Sequence, residues 1–109
     1  MDIPRILKAL ADNTRMQIIK SLLSQSSCGK GLARKTGISE AAVSQHIKIL
    51  KEAGLLSGEK RGYRMHYSVN TDVLEEVSEF FSILAKTPRE EVCNTGQCSC
   101  KNEDKKEGN

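Results

Sequence analysis

Three of the four cysteines in this chain lie within eight residues near its C-terminal end, at Cys93, Cys98 and Cys100. The segment Asn94-Thr95-Gly96-Gln97 contains a glycine, so it is flexible enough to bring the three sulfur atoms together. Thiolates are soft ligands, and three of them suit a pyramidal trivalent ion such as arsenite or antimonite. We therefore predict that these cysteines bind a thiophilic ion, with arsenite as the first hypothesis, and that no organic cofactor is needed.

The same thiols also suit other chemistries. Cadmium, lead and copper(I) prefer thiolate ligands as well, whereas zinc would require a fourth ligand from Cys28 or from a partner subunit. Oxidation or persulfidation could crosslink the thiols instead, which would make the chain a redox or reactive-sulfur sensor. The cluster could also be unused. We interpret Cys28, which stands alone in the sequence, as a small, partly buried thiol.

The length and composition restrict the class of protein. With 109 residues the chain is one small domain, which a modest core or a subunit interface must stabilise. It does not begin with a basic segment followed by an apolar run, and no stretch approaches the length of a membrane span. We therefore expect a cytoplasmic protein, without membrane association, whose cysteines are thiols rather than disulfides. The absence of a Cys-x-x-Cys motif and of a phosphate-binding loop argues against an enzyme.

The net charge of +3 is divided unevenly along the chain. Residues 30–69 carry eight basic side chains and three acidic ones, whereas residues 70–86 carry one lysine and four acidic side chains. A basic region beside a separate acidic segment is typical of a nucleic-acid-binding domain with a second contact face. On charge alone, an ordinary solvated surface would explain the pattern equally well.

The first half of the chain is predicted to be helical. Apolar residues at helical spacing predict a short amphipathic helix over residues 3–10, and Asp12 is a suitable cap for a second helix. A short third helix around residues 32–35 should end at Gly37, because glycine readily adopts the left-handed conformation that closes a helix. With a fourth helix capped by Ser39, this arrangement predicts a helix-turn-helix.

The fourth helix, over residues 39 to about 53, has two different faces. Val43, Ile47 and Leu50 fall on one side and are predicted to pack into the core. The opposite side is small and polar, so it could enter the major groove of DNA and hydrogen-bond to base edges. Its members are Ala41, Ser44, Gln45 and Lys48. We interpret His46, nearer the apolar side, as a packed or phosphate-contacting residue rather than a metal ligand.

After the fourth helix the apolar residues recur with a period of two. The alternation from residue 63 to residue 69 predicts a half-buried strand, which a turn over residues 59–62 would pair with a strand near residues 55–58. A hairpin after a helix-turn-helix is a wing, so we predict a mainly α fold with a small β-hairpin, a winged helix-turn-helix. Basic residues of the helix end and the wing would contact phosphates or the minor groove: Lys51, Lys60, Arg61 and Arg64. His66 is interpreted as a surface residue.

A fifth helix is predicted from Asp72, which forms a capping pair with Glu75, to about Lys86. Its apolar face is wider than the core of one small domain requires, so we interpret it as a dimer interface shared with the first helix. An ordinary core helix is the alternative. The apolar residues are Val73, Leu74, Val77, Phe80, Phe81, Ile83 and Leu84.

The sequence therefore divides into two parts. Residues 1–86 are predicted to form the DNA-binding and dimerisation domain, and residues 87–109 a polar, cysteine-containing tail that is partly disordered. Within the tail, Thr87-Pro88-Arg89-Glu90 has the composition of a helix start, so a short turn of helix could carry Cys93.

Several of these stretches resemble the ArsR/SmtB family of metal-responsive repressors. The resemblance is carried by residues 7–15, 38–39 and 43–55 and by the wing residues 61–69, and it covers residues 4–86. It implies a homodimeric winged-helix repressor of bacterial or archaeal type. Such a protein sits on a double-stranded DNA operator and leaves it when an inducer binds.

The resemblance is weaker at the positions where family members bind metals. Members that sense through the third helix often carry Cys-Val-Cys there, whereas this chain has Cys28-Gly29-Lys30. Members that bind zinc on the last helix use histidines with carboxylates, and residues 72–86 contain no histidine. Other members place thiols near the C-terminus. Cys93, Cys98 and Cys100 are similar to that arrangement in kind.

Overall fold

The computed structural model describes residues 1–90 of the chain, which form five helices and three strands. The helices are α1 (Ile3–Leu10), α2 (Asn13–Ser24), α3 (Gly29–Thr36), α4 (Glu40–Glu52) and α5 (Thr71–Ala85). The strands are β1 (Ser27–Cys28), β2 (Leu56–Arg61) and β3 (Arg64–Val69), which form an antiparallel sheet in the order β1-β3-β2. This architecture is the predicted winged helix-turn-helix.

One apolar core holds the first four helices against the sheet. It draws on each of those helices and on the chain leaving α4, and among the described residues no polar or charged side chain is buried. The buried residues are Ile6, Ala9, Ile18, Ile19, Leu22, Leu32, Val43, Ile47, Leu50, Leu55 and Leu56. Since α4 contributes three of them, the core fixes which side of α4 faces outwards.

Local signals fixed the helix boundaries around the helix-turn-helix. The Asp12 carboxylate accepts a hydrogen bond from the Arg15 amide at 3.0 Å, and the Ser39 hydroxyl accepts one from the Ala42 amide at 3.1 Å. Gly37 has a φ of 79°, in the left-handed region that glycine adopts without strain, and it closes α3. The predicted caps of α2 and α4 and the predicted end of α3 are confirmed.

The start of α3 and the strand before it differ from the prediction. The helix begins at Gly29, not near residue 32, and is preceded by the short strand β1. In that strand Ser27 pairs with Tyr67 and Cys28 with His66. A strand of two residues is too short to show a periodic pattern, and its partner lies about forty residues away, so nothing local in the sequence indicates it.

The wing is longer and its turn tighter than predicted. Arg61 pairs with Arg64, which leaves only Gly62 and Tyr63 in the turn. A two-residue hairpin turn requires a positive φ, and Gly62 supplies it with a φ of 64°. Tyr63 was expected in the strand, but it lies at the tip of the wing with its side chain fully exposed.

The beginning of α5 also differs from the prediction. Its N-cap is Asn70 rather than Asp72, and no side chain caps the helix. The Asn70 amide instead donates to the Gly54 carbonyl at 2.8 Å, and its oxygen accepts from the Ser57 hydroxyl at 2.7 Å. These bonds tie the start of α5 to the chain that leaves α4. Residues 87–90 form no helix, and Cys93 lies outside the described residues.

Candidate DNA-binding surface

Helix α4 presents one buried and one exposed face, as the sequence predicted. Val43, Ile47 and Leu50 are 0%, 4% and 0% exposed, so this face packs into the core. The exposed face carries the small and polar side chains predicted to read DNA: Ala41, Ser44, Gln45 and Lys48. A helix with short polar side chains on its outer face has the shape and the hydrogen-bonding groups that the major groove accepts.

A shallow groove of about 290 Å³ connects α4 to the sheet. Ser44, Lys48 and Lys51 line it from α4, and Tyr67 lines it from β3. The two lysines project from the same side of α4, where their ammonium groups could bind phosphates. Ser44 and Lys48 of the predicted DNA-reading set therefore adjoin the strand that carries the wing.

The wing adds basic side chains at the far end of the hairpin. Lys60, Arg61 and Arg64 are all exposed, and Arg61 and Arg64 flank the turn. The Arg61 guanidinium lies 3.3 Å from the Glu59 carboxylate, an exposed ion pair that binding to a phosphate could replace at little cost. All eight predicted DNA-contacting residues are thus accessible to a ligand.

Cys28 lies next to the wing rather than alone. The Arg64 guanidinium donates to its sulfur atom at 3.8 Å. The pKa of the Cys28 thiol is lowered, mainly because the Gly31 amide at the start of α3 hydrogen-bonds to it. Arg64 lowers this pKa further, and the partial burial of the thiol raises it by less than these two groups lower it. The sequence offered no sign of this environment, because Cys28 and Arg64 are brought together only by the pairing of β1 with β3.

His66 does not lie on an open surface, contrary to the prediction. It is half-buried, it pairs with Cys28 across the strands, and its Nδ1 atom is buried without a hydrogen-bond partner. His66 is less exposed than predicted because β3 is the central strand of the sheet, so β1 and β2 flank this residue on both sides.

The contact between Arg64 and Cys28 makes a testable prediction about thiol reactivity. In a chain with Cys93, Cys98 and Cys100 replaced by serine, Cys28 should be alkylated by iodoacetamide with an apparent pKa below that of an unperturbed cysteine. The substitution Arg64→Gln should raise this pKa and slow alkylation at pH 7, because a positive charge no longer favours the thiolate. Arg34→Gln, which removes an exposed charge from α3, is the control. An unchanged pKa in Arg64→Gln would contradict the account.

The predicted metal site falls outside the part of the chain that the structure describes. Cys93, Cys98 and Cys100 all lie beyond residue 90. Within residues 1–90, no three histidine, cysteine, aspartate or glutamate side chains are grouped closely enough to hold a metal ion. Over the same span, no helix has the length and apolar character to cross a membrane. The three-thiol site remains a prediction.

Two features of the structure, the position of Tyr63 and a contact of Arg15, are not evident from the sequence. Tyr63 lies at the tip of the wing because the pairing register of β2 with β3 decides which residues form the turn. The sequence signal for this turn was Gly62 followed by one residue, directly after the basic residues Lys60 and Arg61. Arg15 contacts His46 of α4 from the start of α2, and the two residues are 31 positions apart, so no local pattern reveals the contact.

The region that builds this surface matches a known family. Residues 12–57 match the model described as bacterial regulatory protein, arsR family. The transcriptional repressor SdpR of Bacillus subtilis (strain 168) is 34% identical over 71 residues, which are 65% of this chain and 79% of SdpR. The chain belongs to the ArsR family of bacterial regulatory proteins. The resemblance drawn from the sequence is confirmed.

Two other relatives extend the comparison. The arsenical resistance operon repressor of Staphylococcus aureus is 26% identical over 100 residues, which are 89% of this chain and 96% of that protein. The solution structure of a homodimeric winged helix-turn-helix DNA-binding domain of Mycobacterium bovis, a possible ArsR-family transcriptional regulator, is 26% identical with a TM-score of 0.65. That alignment covers 77% of this chain and 79% of the other.

Family membership also decides the broad class of activity. The ArsR family consists of transcriptional regulators, not enzymes, which confirms the prediction made from the missing catalytic motifs. The matched residues 12–57 run from the cap of α2 into β2 and include the whole helix-turn-helix.

Proposed function

We propose that this ArsR-family chain is a homodimeric repressor that binds a double-stranded DNA operator through α4 and the wing. It releases the operator when a thiophilic ion, arsenite in the first instance, binds Cys93, Cys98 and Cys100. The observation that carries the DNA-binding part is the division of α4, whose aliphatic face is buried while Ser44, Gln45 and Lys48 are exposed.

Each DNA-contacting residue has a distinct role in this proposal. Gln45 hydrogen-bonds a base edge, for which adenine suits an amide best, while Ala41 and Ser44 allow close approach to the groove. Lys48 contacts guanine or a phosphate. Lys51, Lys60, Arg61 and Arg64 bind phosphates or reach the minor groove from the wing.

The subunit interface is proposed on α5 and α1. No residue of α5 is buried in the single chain, and Phe80, Phe81, Ile83 and Leu84 each leave at least a third of their surface exposed. A shallow apolar cavity of about 420 Å³ lies between the start of α1 and α5. Apolar surface of this extent is unfavourable in water, and a second copy of the chain would cover it.

The inducer is proposed from the thiols of the tail. Arsenite, As(OH)₃, exchanges its three hydroxyl groups for three thiolates, and three water molecules are released as the thiol protons leave. One relative carries the name arsenical resistance operon repressor, which supports a metalloid inducer. Residues 87–109 act as the sensing tail in this account, and the protein works in the cytoplasm, where thiols stay reduced.

The tail follows α5 directly, so ion binding there could change the angle between the subunits. An inducer that binds the low-affinity state more tightly by about 3 kcal/mol weakens operator binding by roughly a hundredfold. Deleting residues 93–109 should therefore leave DNA binding intact and abolish induction.

A DNA-release assay tests the inducer. Fluorescence anisotropy of a labelled operator would be followed as arsenite, cadmium, lead, copper(I), peroxide and polysulfide are added separately. We expect arsenite to release the DNA, and we expect the Cys93, Cys98 and Cys100 to serine variant to stay bound. The Cys28→Ser variant is the matched control and should respond like the unchanged protein.

Other outcomes would point elsewhere. Release by peroxide or polysulfide without any metal, reversed by a reductant, would favour the redox or reactive-sulfur alternative. Release by cadmium, lead or copper(I) alone would replace arsenite as the inducer. If the three-serine variant still released DNA with arsenite, the tail would not be the sensing site.

A further inference from the structure

Arg15, in the first turn of α2, is hydrogen-bonded to two other helices. Its Nε donates to the Ala9 carbonyl at 2.6 Å, and one Nη donates to the Lys8 carbonyl at 3.4 Å. Both carbonyls belong to the last turn of α1. The other Nη reaches Nδ1 of His46, in the middle of α4, at 3.2 Å. One half-buried side chain therefore joins α1, α2 and α4.

The chemistry of the three contacts favours a fixed geometry. The carbonyls of the last turn form the negative end of the helix dipole, so a cation is favourable beside them. The Lys8 carbonyl also accepts from the Ala11 amide at 3.3 Å. The guanidinium is planar and has only donors, so this hydrogen bond requires Nδ1 of His46 to be the acceptor. Asp12 lies 4.0 Å from that ring nitrogen and also caps α2 through the Arg15 amide.

His46 occupies the boundary between the two faces of α4. It follows Gln45, which is exposed, and precedes Ile47, which is buried. A bond to this position restrains the rotation of α4 about its own axis, and hence the direction in which Gln45 projects. The Arg15 guanidinium is also hydrogen-bonded to α1, so it links the orientation of α4 to a helix of the proposed subunit interface.

We propose that Arg15 is a positioning residue, which holds the DNA-reading helix in register with α1 so that operator discrimination depends on the Arg15–His46 contact. This inference rests on the proposed function as an operator-binding protein. In this proposal Arg15 acts within the chain rather than on DNA, because three of its five donors are directed at Ala9, Lys8 and His46.

A second contact between α1 and α4 supplies the matched control. Arg5 and Glu52 lie 3.9 Å apart, with side chains that are 57% and 52% exposed. An ion pair so open to solvent contributes little to position or stability. Arg5→Lys and Arg15→Lys make the same chemical change in two contacts to α4, one from α1 and one from α2.

The experiment measures selectivity rather than affinity alone. Anisotropy titrations would use a labelled duplex that the unchanged protein selects from a randomised pool, and a scrambled duplex of equal length. Arg15→Lys should weaken binding of the selected duplex by about tenfold, the effect of losing hydrogen bonds from a charged group. Binding of the scrambled duplex and the salt dependence should stay the same, because the charge is retained. Arg5→Lys should change neither duplex by more than about twofold.

A double-mutant cycle tests the contact itself. In a His46→Ala background, Arg15→Lys should cause little further loss of selectivity, since the shared bond is already missing. His46→Gln, which keeps an acceptor, should retain more selectivity than His46→Ala. This comparison needs no change at Arg15, so it still decides the question if Arg15→Lys does not fold.

Three results would overturn the proposal. Equal selectivity in Arg15→Lys and Arg5→Lys would show that the contact does not position α4. Additive losses in the cycle, or equal selectivity of His46→Gln and His46→Ala, would show that the two residues do not act together. These three results overturn only the positioning role of Arg15, because each of them requires a duplex that the unchanged protein selects. An unchanged protein that selects no duplex would instead contradict the proposed function itself.

Discussion

Replacing Gln45 and Lys48 together with alanine should weaken operator binding by at least about thirtyfold, because each good contact to a base edge contributes about 1–3 kcal/mol. Both side chains are exposed on α4, so their loss removes contacts with DNA without disturbing the buried face. Titration of the selected duplex by fluorescence anisotropy at two salt concentrations measures the loss. Gln45→Ala alone should relax the preference at one base position. Lys48→Ala alone should reduce the salt slope by about one if it contacts a phosphate.

The chain offers a closely matched control for this pair. Gln17 and Lys20 have the same residue types at the same spacing and are exposed on α2. Alanine at both positions should leave the affinity within about threefold, since only a distant charge is lost. Equal losses in the two double variants would show that α4 has no special part in DNA binding.

Replacing Leu84 with glutamate should separate the subunits and abolish operator binding. Leu84 is 53% exposed in the single chain and lies near the C-terminal end of α5, at the centre of the width of its apolar stripe, so a monomer tolerates the substitution. Burying a carboxylate in an apolar interface costs several kcal/mol, which raises the dimer dissociation constant by at least about a hundredfold. A monomer engages only one half-site and loses the gain from bivalent binding. Sedimentation velocity and operator titration measure the two effects.

Ser82→Glu is the control for the dimer prediction. It adds the same charge to the same helix, on the side opposite the apolar stripe, so both dimerisation and DNA binding should persist. A Leu84→Glu protein that remained dimeric would place the subunit interface elsewhere on the chain.

Much of the fold could be predicted because its determinants are local. Ser39 caps α4 through an amide three residues away, and Gly37 closes α3 by its own φ. The alternation of buried and exposed residues in α4 follows from helical periodicity alone. The exposed polar face of α4 could therefore be predicted from the sequence.

The features that could not be predicted depend on contacts between distant residues. β1 exists only because Ser27 and Cys28 pair with β3, and its length leaves no pattern to detect. Asn70 binds the Gly54 carbonyl instead of capping α5, so a tertiary contact overrode a favourable local motif at Asp72. The Arg15–His46 contact likewise joins helices that only the core brings together.

The central claim, that the polar face of α4 enters the duplex, is tested most directly by site-specific crosslinking. In a chain with its native cysteines replaced by serine, Gln45→Cys would carry a photoactivatable aryl azide, and Ser82→Cys on α5 would carry the same group as reference. Irradiation with the selected duplex should crosslink position 45 to bases in the major groove and leave position 82 unlinked. Crosslinks from position 82 with none from position 45 would contradict the account.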